Sequence, residues 1–234
     1  MNINDFINEL KKINIEINDY QLKQLNRYYE LLVEYNEKMN LTGITEKNQV
    51  YLKHFYDSLT INKIIDLNTV QTLCDVGTGA GFPGMVIKIL FPKIKITLVD
   101  SLNKRIEFLN VVINELGLED IDTLHSRIED YGKNNREIFD VVTARAVAPL
   151  NILLEYCTPL VKYGKYFIPL KADISREILE INSALKELNC TIEKKCEFLL
   201  PYEESQRTLI KFKKIGKTNK KYPRAYAQIK KKPL

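Results

Sequence analysis

Leu73-Cys74-Asp75-Val76-Gly77-Thr78-Gly79-Ala80-Gly81-Phe82-Pro83-Gly84 is the stretch on which the fold turns. Leu73 to Val76 is a short apolar run of strand type, and the glycines that follow make a turn. Pro83 then sits where a first helical turn accepts a missing N–H. Glycine reaches φ > 0 and carries no Cβ, so a ligand can lie directly against such a turn.

Outward from this unit, short apolar runs alternate with amphipathic segments of about a dozen residues, the pattern of a parallel sheet with helices on both faces. The predicted strands are Thr72 to Val76, Lys95 to Val99, Ile121 to His125, Phe139 to Ala144 and Lys165 to Leu170. Ile192 to Leu200 and Arg207 to Phe212 read as a closing pair. Ser101 is expected to cap a helix that runs through Leu116 and ends at Gly117, and another helix is expected near Arg176 to Leu188. Before the sheet, residues 5 to 39 read as two helices with Asn18 as an N-cap, and Tyr51 to Ile65 as a third helical stretch. The expected fold is therefore α/β, a Rossmann-like, doubly wound, seven-stranded and mostly parallel sheet. The expected organisation is a helical extension over 1–66 packed on a catalytic domain over 67–215, with a basic tail over 216–234.

The chain has 234 residues and a net charge of +5, unevenly placed. Residues 211 to 234 hold ten Lys or Arg and no Asp or Glu, so 1 to 210 carry 25 basic and 30 acidic groups, a net of −5. Tyr222 and Tyr226 stand among the tail's cations, which suits contact with phosphates and bases, or a simple solvated tail. No basic leader opens the chain and no run approaches the roughly 20 apolar residues of a membrane span, so a cytoplasmic protein is expected. The four cysteines show no C-x-x-C spacing and read as reduced thiols rather than a disulfide or zinc framework.

Two cofactors compete for the glycine turn. Gly79, Gly81 and Gly84 make a formal G-x-G-x-x-G, which a dinucleotide would use. Asp75 argues against it: a carboxylate at the strand end repels a pyrophosphate but can order the loop or meet the cationic amino-acid part of S-adenosylmethionine. Asp100, at the end of the second strand, can take a ribose through its two hydroxyls in either case. Backbone amides near Ile128 and Glu129 could read an adenine edge with Ile128 as an apolar wall. Arg145, at the end of the fourth strand, is a candidate cation in the crevice. A nicotinamide-dependent oxidoreductase and a non-catalytic RNA-binding assembly protein are the rival readings; binding of NAD against S-adenosylmethionine separates the first, and the intact Gly77 to Gly84 turn with Asp100 argues against the second.

Several further stretches stand beside the glycine turn: Asn40-Leu41-Thr42, His54-Phe55-Tyr56-Asp57-Ser58-Leu59, D-V-G-T-G-A-G-F-P-G over Asp75 to Gly84 itself, Asp100-Ser101-Leu102 with Lys104-Arg105, Ser126 to Glu129, Thr143 to Ala146, and Tyr222-Pro223-Arg224 with Lys232-Pro233-Leu234. On these the chain resembles the small-subunit rRNA methyltransferase G family, also called glucose-inhibited division protein B. The family more often has serine at 143 and a glycine after Arg224. The resemblance implies cofactor contacts at Gly77, Phe82, Ile128, Glu129 and Arg145, with Asp100 at the ribose, and Asp75, Gly79 and Gly81 in the same loop. It implies methylation of N7 of a guanine in 16S rRNA, free or within the small ribosomal subunit, by a monomer. Guanine N7 carries no proton in the neutral base, so no general base and no metal are expected. The missing Asn- or Asp-Pro-Pro-aromatic motif and the missing Pro-Cys agree with this. Arg145 is expected to position the guanine or a phosphate, Phe82 to pack at the cofactor, and the tail to hold RNA backbone. His54 and Asp57 read as helix-packing residues near the cleft, and His125 as an ordinary strand-end residue.

Overall fold

The alternating strands and helices resolve, in a computed structural model describing residues 1–234, into one seven-stranded sheet of order β3-β2-β1-β4-β5-β7-β6. Its strands are β1 (Thr72–Val76), β2 (Lys95–Asp100), β3 (Ile121–His125), β4 (Phe139–Arg145), β5 (Val161–Lys171), β6 (Cys190–Leu199) and β7 (Gln206–Lys214). The first five pair in parallel, with Leu73 opposite both Ile96 and Val141, and β7 joins antiparallel between β5 and β6. Seven strands and their order of pairing leave β1 and β4 adjacent at the centre, where the chain reverses direction across the sheet. A crevice opens there at the carboxyl ends of the strands.

The helices are α1 (Ile3–Lys12), α2 (Asp19–Met39), α3 (Lys47–Val50), α4 (Asp57–Leu59), α5 (Gly84–Leu90), α6 (Asn103–Leu116), α7 (Ile128–Asn134), α8 (Leu150–Cys157), α9 (Asn182–Glu187) and α10 (Tyr226–Lys231). Asn18 caps α2 in a full capping box with Gln21. Leu25, Tyr28, Leu31 and Leu32 then recur at helical spacing and are buried. The stretch expected as one helix over 51–65 is helical but unevenly wound. A π-helical turn, Tyr51–Tyr56, joins α3 to α4, and a 3-10 turn, Thr60–Lys63, follows. Such wide turns often mark functional sites, and His54 leaves the chain inside this one.

Two expectations about caps are corrected. Ser101 caps nothing: α6 begins after Leu102 with no side-chain cap, and the loop is held instead by Asp100, whose Oδ1 accepts from the Leu102 amide at 3.0 Å. Pro83 precedes the first helical residue of α5 rather than occupying it. The helix expected near 176–188 splits into a 3-10 turn, Glu177–Glu180, and α9.

Two cores flank the sheet. One, of 41 buried residues, joins Phe6, Leu10 and Tyr28 of the N-terminal helices to Leu98, Val141 and Ile168 of the sheet; the other, of 23, takes the alternate strand residues Cys74, Val142 and Phe167 with α8 and α9. The first is larger because the N-terminal helices add their apolar faces to it, which fixes residues 42–57 at the rim of the crevice. No helix is long and apolar enough to cross a membrane.

Candidate active site

The glycine turn is wired to its own strand. Asp75 is fully buried; its Oδ2 accepts from the Thr78 hydroxyl at 2.7 Å and the Gly84 amide at 2.8 Å, while its Oδ1 has no partner. Burial pushes this carboxyl up to about 6, against the lowering effect of those two donors. The Gly77 and Thr78 amides donate to the Val99 carbonyl of β2, and the Gly79 amide to Asp100 Oδ2 at 2.9 Å. Gly77 has φ +65°, and a Cβ there would stand 2.6 Å from Val147 Cγ2. Gly81, at φ +103°, lets the Tyr28 hydroxyl of α2 approach and bond the Ala80 carbonyl.

Two cavities meet at Gly77. The smaller, about 310 Å³, lies over the ends of β1, β2 and β3 and is walled by Val76, Val99, Ile128, Val147, Ile152 and Tyr156. Asp100, 2% exposed, and Glu129 supply its carboxylates. A carboxylate offers roughly four acceptor directions. Three donors from the protein meet Asp100: the Gly79 amide on Oδ2, the Leu102 amide on Oδ1, and the Arg105 guanidinium across both oxygens at 3.1 and 3.4 Å. No side chain caps α7, which leaves the amides of Ile128 and Glu129 at the cavity wall. Glu129 Oε1 is buried without a hydrogen-bond partner.

The larger cavity, about 620 Å³, is polar and cationic. Lys53, Arg105, Arg145, Lys171 and Arg207 line it against Asp57, Asp173 and Glu177, a surplus of positive charge suited to a polyanion. Its organiser is Asp57, whose side chain is 6% exposed: Oδ2 pairs with Arg145 at 3.1 Å and Oδ1 with Arg207 Nε at 2.9 Å. Arg145 also donates to the Lys53 carbonyl at 3.2 Å and lies over the Phe82 ring at 5.3 Å. Phe82 in turn stacks on His54, with ring centroids 4.5 Å apart. His54 Nε2 meets the Thr42 hydroxyl at 2.8 Å. Burial, with the Arg145 charge nearby, pushes the imidazole down to about 4, so it is neutral in the ordinary pH range.

The residues expected from sequence thus fall into three places. Gly77 borders both cavities; Asp100, Ile128 and Glu129 line the smaller; Gly79, Phe82 and Arg145 line the larger. Asp75 and Gly81 line neither: they lie beneath the turn, where one holds its hydrogen bonds and the other gives Tyr28 room. His54 and Asp57 do pack between helix and sheet, and they also border the larger cavity. Arg207, Lys53 and Lys171 were invisible as site residues, because nothing local in a strand or helix marks them.

The basic tail, whose order the sequence leaves open, is packed. It folds back on the protein: Arg224 forks onto fully buried Glu155 at 2.8 and 2.6 Å, Arg136 donates to the Thr218 carbonyl at 2.8 Å, and Ile229 is completely buried. It is not a free arm, and Tyr226 and Lys230 reach the smaller cavity.

Comparison with known proteins agrees with this geometry. TYW2 from M. jannaschii, solved in complex with AdoMet, has the same fold at a TM-score of 0.55 and 13% identity, covering 68% of this chain and 77% of its own. A SAM-dependent O-methyltransferase from Thermotoga maritima gives 0.53 at 17%, covering 80% and 72%. The fold is that of the class I S-adenosylmethionine-dependent methyltransferases. The ribosomal RNA small subunit methyltransferase G of Exiguobacterium sibiricum is 51% identical over 237 residues, covering all of both chains. That of Bacillus subtilis is 48% identical over 237 residues, covering 100% of this chain and 99% of its own. A model of the rRNA small subunit methyltransferase G family matches residues 21–210. With the fold, the motifs and the full-length likeness in agreement, the chain belongs to the rRNA small subunit methyltransferase G family.

Proposed function

We propose that this chain transfers the methyl group of S-adenosylmethionine to N7 of a guanine in 16S rRNA, in the cytoplasm, free or within the small subunit, as a monomer. The observation that carries it is the junction at Gly77 of an apolar cavity with a ribose-type carboxylate and a cationic cavity.

The smaller cavity fits the cofactor: Asp100 lines it and can take a ribose hydroxyl where the partly exposed Arg105 yields its longer contact, the Ile128 and Glu129 amides can serve an adenine edge, and Ile128 and Val147 supply apolar faces. Bound S-adenosylmethionine supplies an electrophilic methyl on a sulfonium. In the larger cavity Arg145 and Arg207, held at fixed separation by Asp57, bind and orient the RNA acceptor. Phe82, pinned between His54 and Arg145, shields the junction from water. N7 brings a free lone pair, so positioning does the work, and the cavity's carboxylates are engaged elsewhere. Asp57 holds two arginines, Glu177 pairs with Lys171 at 2.9 Å, and Asp173 accepts from Ser175. Alignment of this kind can contribute roughly 7 to 11 kcal/mol in well-oriented systems.

The test is transfer of labelled methyl from S-adenosylmethionine to unmodified 16S rRNA or small subunits, followed by mapping. A single N7-methylguanine is expected; methyl on another atom or another RNA would overturn the reading.

A further inference from the structure

The C-terminal tail has more structure than its composition asks for. Its turn at 218–222 is gripped by Arg136, the Tyr222 hydroxyl donates to Glu187 at 2.8 Å, and Arg224 neutralises the buried Glu155. Ile229 joins the same core as Ile128 and Tyr156. These anchors deliver α10 to one place, the mouth of the smaller cavity. Tyr226 and Lys230, one helical turn apart, share a face there. Arg127, from the turn after β3, lies over the Tyr226 ring at 5.1 Å, and the Lys230 ammonium stands 5.8 Å from it. A solvated tail would not spend a buried ion pair and a buried isoleucine to set an aromatic ring at a cavity edge.

We propose that α10 belongs to the donor site, with Tyr226 as the outer aromatic wall for an adenine base and Arg127 and Lys230 as the cations that hold that ring in place. This rests on the functional reading above, which makes the smaller cavity the place for S-adenosylmethionine. The position fits: Tyr226 lines the same cavity as Ile128 and Tyr156 and is the most exposed of the three, so an adenine against Ile128 would be covered from outside by its ring. Aromatic side chains favour flat bases whatever their edge pattern, and the two cations flanking the ring restrict its rotation. Within the tail, Arg224 thereby serves internal anchoring and Lys230 the donor site.

The full-length chain is titrated with S-adenosylmethionine by calorimetry, alongside Tyr226→Ala and Tyr226→Phe. Tyr226 is 43% exposed, so truncating it leaves the anchors of α10 in place, and melting curves check this. Tyr226→Ala is expected to bind about tenfold more weakly and Tyr226→Phe within about twofold of the parent, because stacking needs the ring and not the hydroxyl. Amide exchange over residues 226–231 is expected to slow on addition of S-adenosylmethionine in the parent. If Tyr226→Ala keeps full affinity for S-adenosylmethionine, the proposal fails; if it also loses affinity for an unmodified 16S rRNA fragment, the helix is an RNA arm instead. A parent chain that takes up no S-adenosylmethionine at all sinks the functional reading itself, and this inference with it.

Discussion

The two cavities that share Gly77 are built on different principles. The donor cavity takes its walls from three neighbouring strand ends and the turns after them, and its Asp100 carboxylate is wired to amides of two adjacent turns, Gly79 after β1 and Leu102 after β2. The acceptor cavity is assembled from afar: Asp57 reaches Arg145 across 88 positions of sequence and Arg207 across 150. One is an apolar slot held by backbone; the other is a charged bowl held by a single carboxylate. A slot of the first kind tolerates changes in surface charge, whereas the second depends on one residue to keep two guanidinium groups at a working distance.

Removing that residue is the most severe way to break the contrast. Asp57→Ala leaves two cations facing each other in a partly buried site, and breaking a buried pair from one side costs about 3 to 5 kcal/mol. Denaturant titration should show a loss of that size, with methyl transfer falling further than stability explains at permissive temperature. A loss below 1 kcal/mol would mean that the triad is solvated and the bowl does not depend on it.

Acid offers a second handle, because two buried groups, His54 and Asp75, respond in opposite directions. His54 titrates at about 4 in the fold against 6.5 unfolded, so its contribution is present above 6.5 and is lost as pH falls through 4. Asp75 titrates at about 6 against 3.8, so its buried charge weakens the fold above 6 and is relieved as pH falls toward 3.8. Each span corresponds to about 3 kcal/mol, and the two nearly cancel between pH 6.5 and 4. His54→Gln removes one arm. Relative to the parent, the variant should therefore gain stability by up to about 3 kcal/mol over that interval, measured as denaturation midpoints at each pH. Parallel curves for parent and variant would show that His54 is free to protonate in place.

The same division explains what the sequence disclosed. Gly77 to Gly84, Asp75, the five parallel strands and the Asn18 cap were legible because each is a local event: a turn needing φ > 0, short apolar runs between amphipathic segments, a cap before apolar residues at helical spacing. Ser101 misled because a serine before an apolar helix is the usual cap, yet Asp100 already satisfies the Leu102 amide. The acceptor bowl was only partly readable. Arg145 could be named from its strand end, but Arg207 is the second residue of an antiparallel strand and carries no mark until the sheet brings it to Asp57. Charge composition left the packing of the tail undecided for a related reason. A run of cations looks unpartnered in one dimension, and Glu155, which neutralises Arg224, lies 69 positions away inside α8.

Gly77 is the point where the comparison can be collapsed. In Gly77→Ala the new Cβ occupies a left-handed conformation and stands against Val147, a cost of about 2 kcal/mol that both cavities feel. S-adenosylmethionine affinity and acceptor turnover should fall together, each by about 30-fold. If only one falls, the two cavities do not meet at this residue in solution.

The smallest predicted effect sharpens the contrast most, because it should leave one cavity untouched. Arg145→Lys keeps a positive charge beside Asp57 but gives up the planar fork that lets one group face Asp57, the Lys53 carbonyl and the Phe82 ring at once. An ammonium can hold the ion pair or cover the ring, and a compact charge orients a planar acceptor less well. Turnover of 16S rRNA should drop about tenfold, roughly 1.4 kcal/mol, with S-adenosylmethionine affinity within about twofold of the parent. Arg145 lines the larger cavity and not the smaller, so an equal loss of cofactor affinity would place its charge in the donor slot and erase the distinction between slot and bowl. Unchanged turnover would instead assign the acceptor's alignment to Arg207 on the other side of Asp57.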